Sequence, residues 1–304
     1  MIEEELQQLD SFMFCLKKAI ESYNITYPLE YLYGITGFGA RFTLSMNIKQ
    51  GKYIGHPTSE YIWDILSVVE LCFTPIKISC NVFIDGGYLT SARKTSVNKH
   101  EIPSFIKIID SNPIIGPVIY PTVSGQWVYI DNGSQIDPNS INVEGYPFGR
   151  VFLQIAKVEE LKPLDFFPAS SLSYIIRTQE RGEEPMEIAG KGDYSALSGW
   201  KAFARWMQAF SLPMRDVKHE YLDVLGKQVM IRRQFYASYW RILANNLKNP
   251  KEFEFAQRLS NCYDEIAKFA VTVSENQNYK NVKELYYLEQ KTLPIYKEIS
   301  HYLA

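Results

Sequence analysis

An α+β fold ending in a helical bundle is predicted, and three observations predict it. Strand-like and helix-like apolar patterns are mixed through the first half of the chain; a proline- and charge-rich stretch interrupts them over 163–193; from Ser195 onward every apolar pattern has a helical period. The 304 residues, 46% hydrophobic and 22% charged, suffice for two cores of ordinary domain size. The expected division is a first domain over 1–165, a linker over 166–194 and a helical domain over 195–304.

The first element is a helix carrying Phe12, Cys15, Leu16, Ala19, Ile20 and Tyr23 at helical spacing, which places Cys15 on the buried stripe and Lys17, Lys18 and Glu21 outward. A glycine-rich turn follows, Gly34-Ile35-Thr36-Gly37-Phe38-Gly39-Ala40-Arg41-Phe42. Three glycines in six positions predict a tight bend or a close approach to another segment, because glycine alone tolerates both without steric cost. The turn is expected to pack near Cys15. Residues 42–54 read as a hairpin with Lys49-Gln50-Gly51-Lys52 at its tip, and Pro57-Thr58-Ser59 as the cap of a helix from Glu60 to Cys72. Lys77 to Ile84 alternates like a strand, and a second helix is expected from Pro103 to Asp110, before Asn112-Pro113.

Pro117 to Tyr120, Gln126 to Ile130 and Arg150 to Ile155 are β-branched and aromatic runs that read as strands of one sheet, with Asp131-Asn132-Gly133-Ser134 as a turn between the last two and Gly145-Tyr146-Pro147-Phe148-Gly149 as another. Prolines 163, 168 and 185 and the run Glu180 to Glu184 mark the connection between domains. Four helices are then expected, over Leu197–Phe210, Val217–Asn245, Glu252–Val273 and Tyr279–Leu303, separated at Pro213, Asn249-Pro250 and Asn276-Gln277-Asn278.

A formal charge of −2 gives no whole-chain reason to expect nucleic acid or an anionic membrane as partner. The sign does differ along the chain: residues 195–304 carry 16 Lys and Arg against 11 Asp and Glu, and the preceding 194 carry 16 against 23. The acidic start, Met1-Ile2-Glu3-Glu4-Glu5, and the absence of an apolar run of about 20 residues predict a cytoplasmic protein with no membrane span. Four scattered cysteines (Cys15, Cys72, Cys80, Cys262) without a Cys-x-x-Cys pair read as reduced thiols, and four histidines without metal spacing predict neither a bound metal nor a cofactor.

The order of these elements resembles a known family. A cysteine on an apolar helix, a Gly-x-x-Gly-x-Gly-x-x-Phe turn about twenty residues later, then helix, strand, helix, a Gly-Pro-Val strand and a Gly-Tyr-Pro turn is similar to the papain-like proteins related to bacteriocin-leader peptidases. The most similar subgroup contains the butirosin-biosynthesis acyltransferase called protein H. Ile231-Arg232-Arg233-Gln234-Phe235, Asn249-Pro250 and Tyr287-Leu288-Glu289 resemble its appended helical domain. The resemblance implies a papain-like first domain, Cys15 in the place of the nucleophile, and Gly34, Gly37, Gly39 and Phe42 in the place of the turn. The family's base is a histidine at the start of a central strand, and here Gln126 stands at that position. Without that histidine, Asp137 and Asn139 have no triad role.

Two functional readings follow. One is a cysteine-dependent acyltransferase or amide hydrolase with Cys15 as nucleophile and His56, the histidine nearest in sequence to the Cys15–Phe42 core, as substitute base; His100 is a weaker choice. The other is a catalytically degenerate relative that binds a small acyl or peptide ligand. The missing base favours the second, since a thiol with a pKa of roughly 8.5 needs an imidazole or a helix N-terminus to ionise at neutral pH. Under either reading a pocket is expected at the domain junction, lined by Gly34, Gly37, Gly39 and Phe42, with Tyr31, Tyr33, Tyr120 and Tyr146 contributing rings with polar tips. Arg232, Arg233 and Arg241 read as solvent-facing helix arginines, or as a basic face for an acidic acyl carrier protein; solvent-facing is the commoner arrangement for helix arginines. His219 and His301 read as surface residues.

Overall fold

The computed structural model of the chain describes residues 3–47, 52–53, 78–85, 106–109, 113–121, 126–140, 151–159, 167–169, 171–173, 175–176, 183–186, 194–211 and 219–304. The fold is mixed α and β, with helices alone at its C-terminal end. The chain forms two compact units, each assembled from separated stretches: Met1–Tyr27, Ser45–Glu160 and Glu184–Ala196 make one, and Pro28–Leu44, Leu161–Glu183 and Leu197–Ala304 make the other. The glycine turn therefore belongs to the unit that holds the C-terminal helices, although its last residue, Phe42, lies 157 positions before the first of them begins at Gly199.

The first unit opens with helices α1 (Glu3–Leu9) and α2 (Ser11–Glu21). Its strands are β1 (Thr43–Asn47), β2 (Lys52–Tyr53), β3 (Ile78–Asp85), β4 (Ile106–Ile109), β5 (Ile114–Ile115), β6 (Val118–Pro121), β7 (Trp127–Ile130), β8 (Gln135–Ile136), β9 (Val151–Val158), β10 (Glu183–Met186) and β11 (Tyr194–Ser198). Strands β1 and β2 pair antiparallel, which is the expected hairpin, and they join β10 and β11 in the order β10-β11-β1-β2. The larger sheet runs β4-β3-β9-β6-β7 and contains the three strands expected to share a sheet. Gly133, with φ +87°, turns the chain from β7 into β8.

Residues 106–109 correct the expectation of a helix there. They form β4, paired parallel with β3 from Val82↔Ile106 to Asp85↔Ile109. The run Ile106-Lys107-Ile108-Ile109 is rich in β-branched side chains, which suit a pleated surface better than a helix, and β3 supplies the ladder. The expected helix from Glu60 to Cys72 and the turn at Gly145 lie outside the described residues.

Helix α2 is held to the larger sheet by its apolar stripe and by hydrogen bonds at each end. Phe12, Met13, Leu16, Ala19 and Ile20 are all buried, and the Phe12 ring meets Trp127 edge-on at 4.9 Å. Beyond the helix, the Tyr23 hydroxyl donates to Ile155 O (2.7 Å) and that of Tyr27 to Glu159 O (3.1 Å). At the other end the Trp127 backbone N–H donates to Ser11 Oγ at 2.9 Å, a buried bond. Ser11→Ala is expected to leave that N–H without its acceptor and to lower unfolding stability by about 1–3 kcal/mol, measured by urea titration, with Ser11→Thr recovering most of the loss.

The second unit contains α3 (Leu29–Ile35), α4 (Gly199–Ser211), α5 (His219–Ala244), α6 (Pro250–Glu275), α7 (Tyr279–Gln290) and α8 (Leu293–Leu303). The boundaries follow local rules. Asn249 accepts hydrogen bonds from the N–H groups of Lys251 and Glu252 with Pro250 in the first turn, and Asn278 accepts from Asn281 N at 2.9 Å. The single helix expected over Tyr279–Leu303 is two, parted at Lys291 and Thr292. Pro294 sits in the first turn of α8, where its missing N–H costs nothing; inside a continuous helix it would break the ladder. The helix expected from Leu197 begins at Gly199 instead, and Tyr194–Ser198 form β11, so the start of the stretch expected to be helical is a strand. The stretch expected as a linker carries β10 and places Phe167, Leu172, Ile175 and Ile176 in buried positions.

Candidate functional site

Cys15 is the fifth residue of α2 and sits on its buried stripe, as the spacing predicts; it is 2% exposed. Burial alone pushes its thiol up to about 12, because a thiolate there would lose its hydration with no charged group to replace it. The helix gives little help: Asp10 at the N-cap makes no capping hydrogen bond through its side chain, and the field of the helix N-terminus falls off within the first turn.

Gln126, at the position the resemblance gives to the base, immediately precedes β7. Its side-chain amide donates to the backbone carbonyl of Gln8 in α1 at 3.3 Å. An amide has no basic nitrogen and does not replace an imidazole in either direction of proton transfer. His56 and His100 lie outside the described residues, as does Tyr146; His301 is exposed.

The glycine turn is built around α5. Gly34 lies in the last turn of α3, and a Cβ there would stand 2.0 Å from Tyr239 Cγ; at Gly39 it would stand 2.4 Å from Tyr236 Cβ. Gly37 takes φ +73°, which side chains rarely adopt, and faces Ile175. These are the close approaches that three glycines in six positions predict, and the space beside Gly34 and Gly39 is filled by α5 rings. Tyr33 stacks on Phe235 at 4.9 Å, Tyr31 lies 6.4 Å from Tyr239, and Phe42 packs on Phe203 and Trp206 at 4.5 and 5.3 Å. Tyr120 belongs to the other unit, where its ring packs on Phe152.

The turn is tied down by Arg233, a helix arginine whose residue type points to solvent. Arg233 is fully buried, donates from Nη1 to the carbonyls of Gly39 (2.6 Å) and Arg41 (3.4 Å), and pairs through Nε with Glu289 on α7. Burial raises the Glu289 carboxyl above its ordinary value against the opposing pull of Arg233. Arg232 is also buried, whereas Arg241 is exposed and paired with Asp264 at 2.5 Å, so the three arginines make no common basic face. A signal was present: Arg233 falls in the stripe Val229, Arg233, Tyr236, Trp240, whose other members are apolar or aromatic and whose spacing is helical. A charge inside such a stripe predicts a buried partner.

Among the described residues no helix is long and apolar enough to cross a membrane, and no three His, Cys, Asp or Glu side chains are grouped to hold a metal ion. Comparison of the chain with protein-family models, curated proteins and solved structures found no match.

Proposed function

We propose that the chain is a papain-like-fold protein of bacterial secondary metabolism that is catalytically degenerate and binds a small acyl or peptide ligand. The ligand class is what the resemblance implies, since the space beside Gly34 and Gly39 is filled by α5 rings; the observation that carries the catalytically degenerate part of this reading is the state of Cys15, the residue in the nucleophile's place. Its thiol is buried, its ionisation is opposed by desolvation, and the residue in the place of the base is a glutamine whose amide is engaged by α1. An activated cysteine has the reverse surroundings: a path for an electrophile and a positive field or imidazole that stabilises thiolate. The resemblance in the order of elements supports the papain-like part of the reading, and the α2 helix packed on the β7 end of a sheet is compatible with it.

The test is thiol labelling of the native protein with iodoacetamide across pH. Half-exposed Cys262 should react well before Cys15, and Cys15 should label appreciably only once denaturant opens the fold. The pH sign follows from the shift. A thiol whose folded value is raised from 9.0 to about 12 favours the folded state up to its unfolded value, and that contribution is lost as pH rises from there towards 12. Stability should therefore fall over that alkaline window, less so in Cys15→Ala. Stoichiometric labelling of Cys15 ahead of Cys262 at about pH 6 would instead establish the cysteine acyltransferase or amide hydrolase reading, with His56 the first base to replace.

A further inference from the structure

Helix α6 carries two stripes. One, from Phe255 through Leu259, Tyr263, Ile266 and Ala270, is buried in the second unit. The other is not: Asp264, Glu265, Lys268 and Phe269 recur at helical spacing and form one wall of an open groove of about 580 Å³. Helix α7 supplies the facing wall through Glu284 and Leu288. The volume falls within the roughly 300–1,000 Å³ usual for small-molecule sites. Leu288 is buried and Phe269 half-buried, which gives the groove an apolar base.

The charges on the walls are not equivalent. Arg241 of α5 answers Asp264 at 2.5 Å, and Lys291, just beyond α7, answers Glu265 at 2.8 Å. Lys268 stands on one wall and Glu284 on the other, and neither enters an ion pair or a hydrogen bond among the described residues. What remains is one ammonium and one carboxylate on opposite walls over an apolar base. A ligand of a single sign would satisfy one of these groups and meet like charge at the other. A ligand that carries both signs together with an apolar group satisfies both walls and the base.

We propose that this groove binds a zwitterion with an apolar side chain, a free α-amino acid or a dipeptide, its carboxylate on Lys268, its ammonium on Glu284 and its side chain on Phe269 and Leu288. The groove lies in the second unit and Cys15 in the first, so the proposal does not rest on the reading above, and thiol labelling does not test it. The test is equilibrium dialysis of the full chain at neutral pH and low ionic strength, with labelled L-leucine in one arm and labelled L-leucyl-L-leucine in the other. One saturable equivalent per chain is expected in at least one arm, and the arm that saturates names the source of the zwitterion. Lys268→Met and Glu284→Gln should each weaken that binding by about threefold or more, the scale of an exposed ion pair. Both positions are exposed and outside any ion pair, so these variants should fold as the wild type does. Lys297→Met, which alters an exposed α8 lysine outside the groove, should leave the binding unchanged. N-acetyl-L-leucinamide, which keeps the side chain but neither charge, should fail to displace the bound probe. No saturable binding of either probe, displacement by the uncharged analogue, or unchanged binding by either groove variant would overturn the proposal.

Discussion

Replacing Arg233 by methionine is expected to cost about 3–5 kcal/mol of unfolding stability at neutral pH, far more than the change in volume explains. Methionine fills much of the same space, so the loss is electrostatic and polar. Glu289 would be left buried without the guanidinium that opposes its desolvation, and the carbonyl of Gly39 would lose its 2.6 Å donor. The pH dependence distinguishes this account from a simple packing defect. In the folded wild type the Glu289 carboxyl is already raised; without Arg233 the remaining cause, burial, raises it further. A carboxyl whose folded value lies above its unfolded one favours folding below the unfolded value and loses that contribution as pH rises through the folded value. The variant's deficit should therefore be largest near neutrality and shrink as the solution is acidified towards the ordinary carboxylate range. Urea titrations of both proteins at a series of pH values measure this, and a deficit independent of pH would rule out a stranded carboxylate. Replacing the pair together, as Arg233→Met with Glu289→Leu, should recover part of the loss, since neither charge is then buried.

Gly34→Ala and Gly39→Ala are expected to destabilise by at least the roughly 1–3 kcal/mol typical of overpacking. At Gly34 the new methyl would overlap the Tyr239 ring, 2.0 Å from Cγ and 2.2 Å from both Cδ atoms. That ring is buried and edged by Trp240, so swinging it aside displaces its neighbours. At Gly39 the overlap is with Tyr236 Cβ, which cannot move without moving the α5 backbone. The second substitution should therefore be the more damaging. A compensating change is available only at Gly34: Tyr239→Ala removes Cγ and both Cδ atoms, so the methyl gains room, and the double variant should be more stable than the sum of the two single losses, by a coupling of about 0.5–3 kcal/mol. Thermal and urea unfolding give all the values needed. Wild-type melting of Gly34→Ala would mean that α3 and α5 do not approach as closely as described.

Local chemistry made much of this fold legible in the sequence. The stripe from Phe12 to Ile20 set which face of α2 is buried and put Cys15 on it. Asn249-Pro250 and Asn278 placed two helix starts, and the β-branched runs at Val118, Trp127 and Val151 marked three strands, because caps and side-chain periodicity act over a few residues. Glycine spacing also announced a close approach, though not its partner. The break in the last helix was missed, although Pro294 carried a local signal for it. What only the tertiary structure decided depends on residues far apart in the chain. Ile106–Ile109 is a strand because β3 offers it a parallel ladder, and residues 28–44 belong with α5 because Tyr236 and Tyr239 fit against their glycines. Arginine's residue type points to solvent, but Arg233 is held inside by a carboxylate 56 positions on and by carbonyls 192 and 194 positions back. A charge is tolerated in the interior only where its partners converge, and that convergence belongs to the folded chain rather than to any stretch of it.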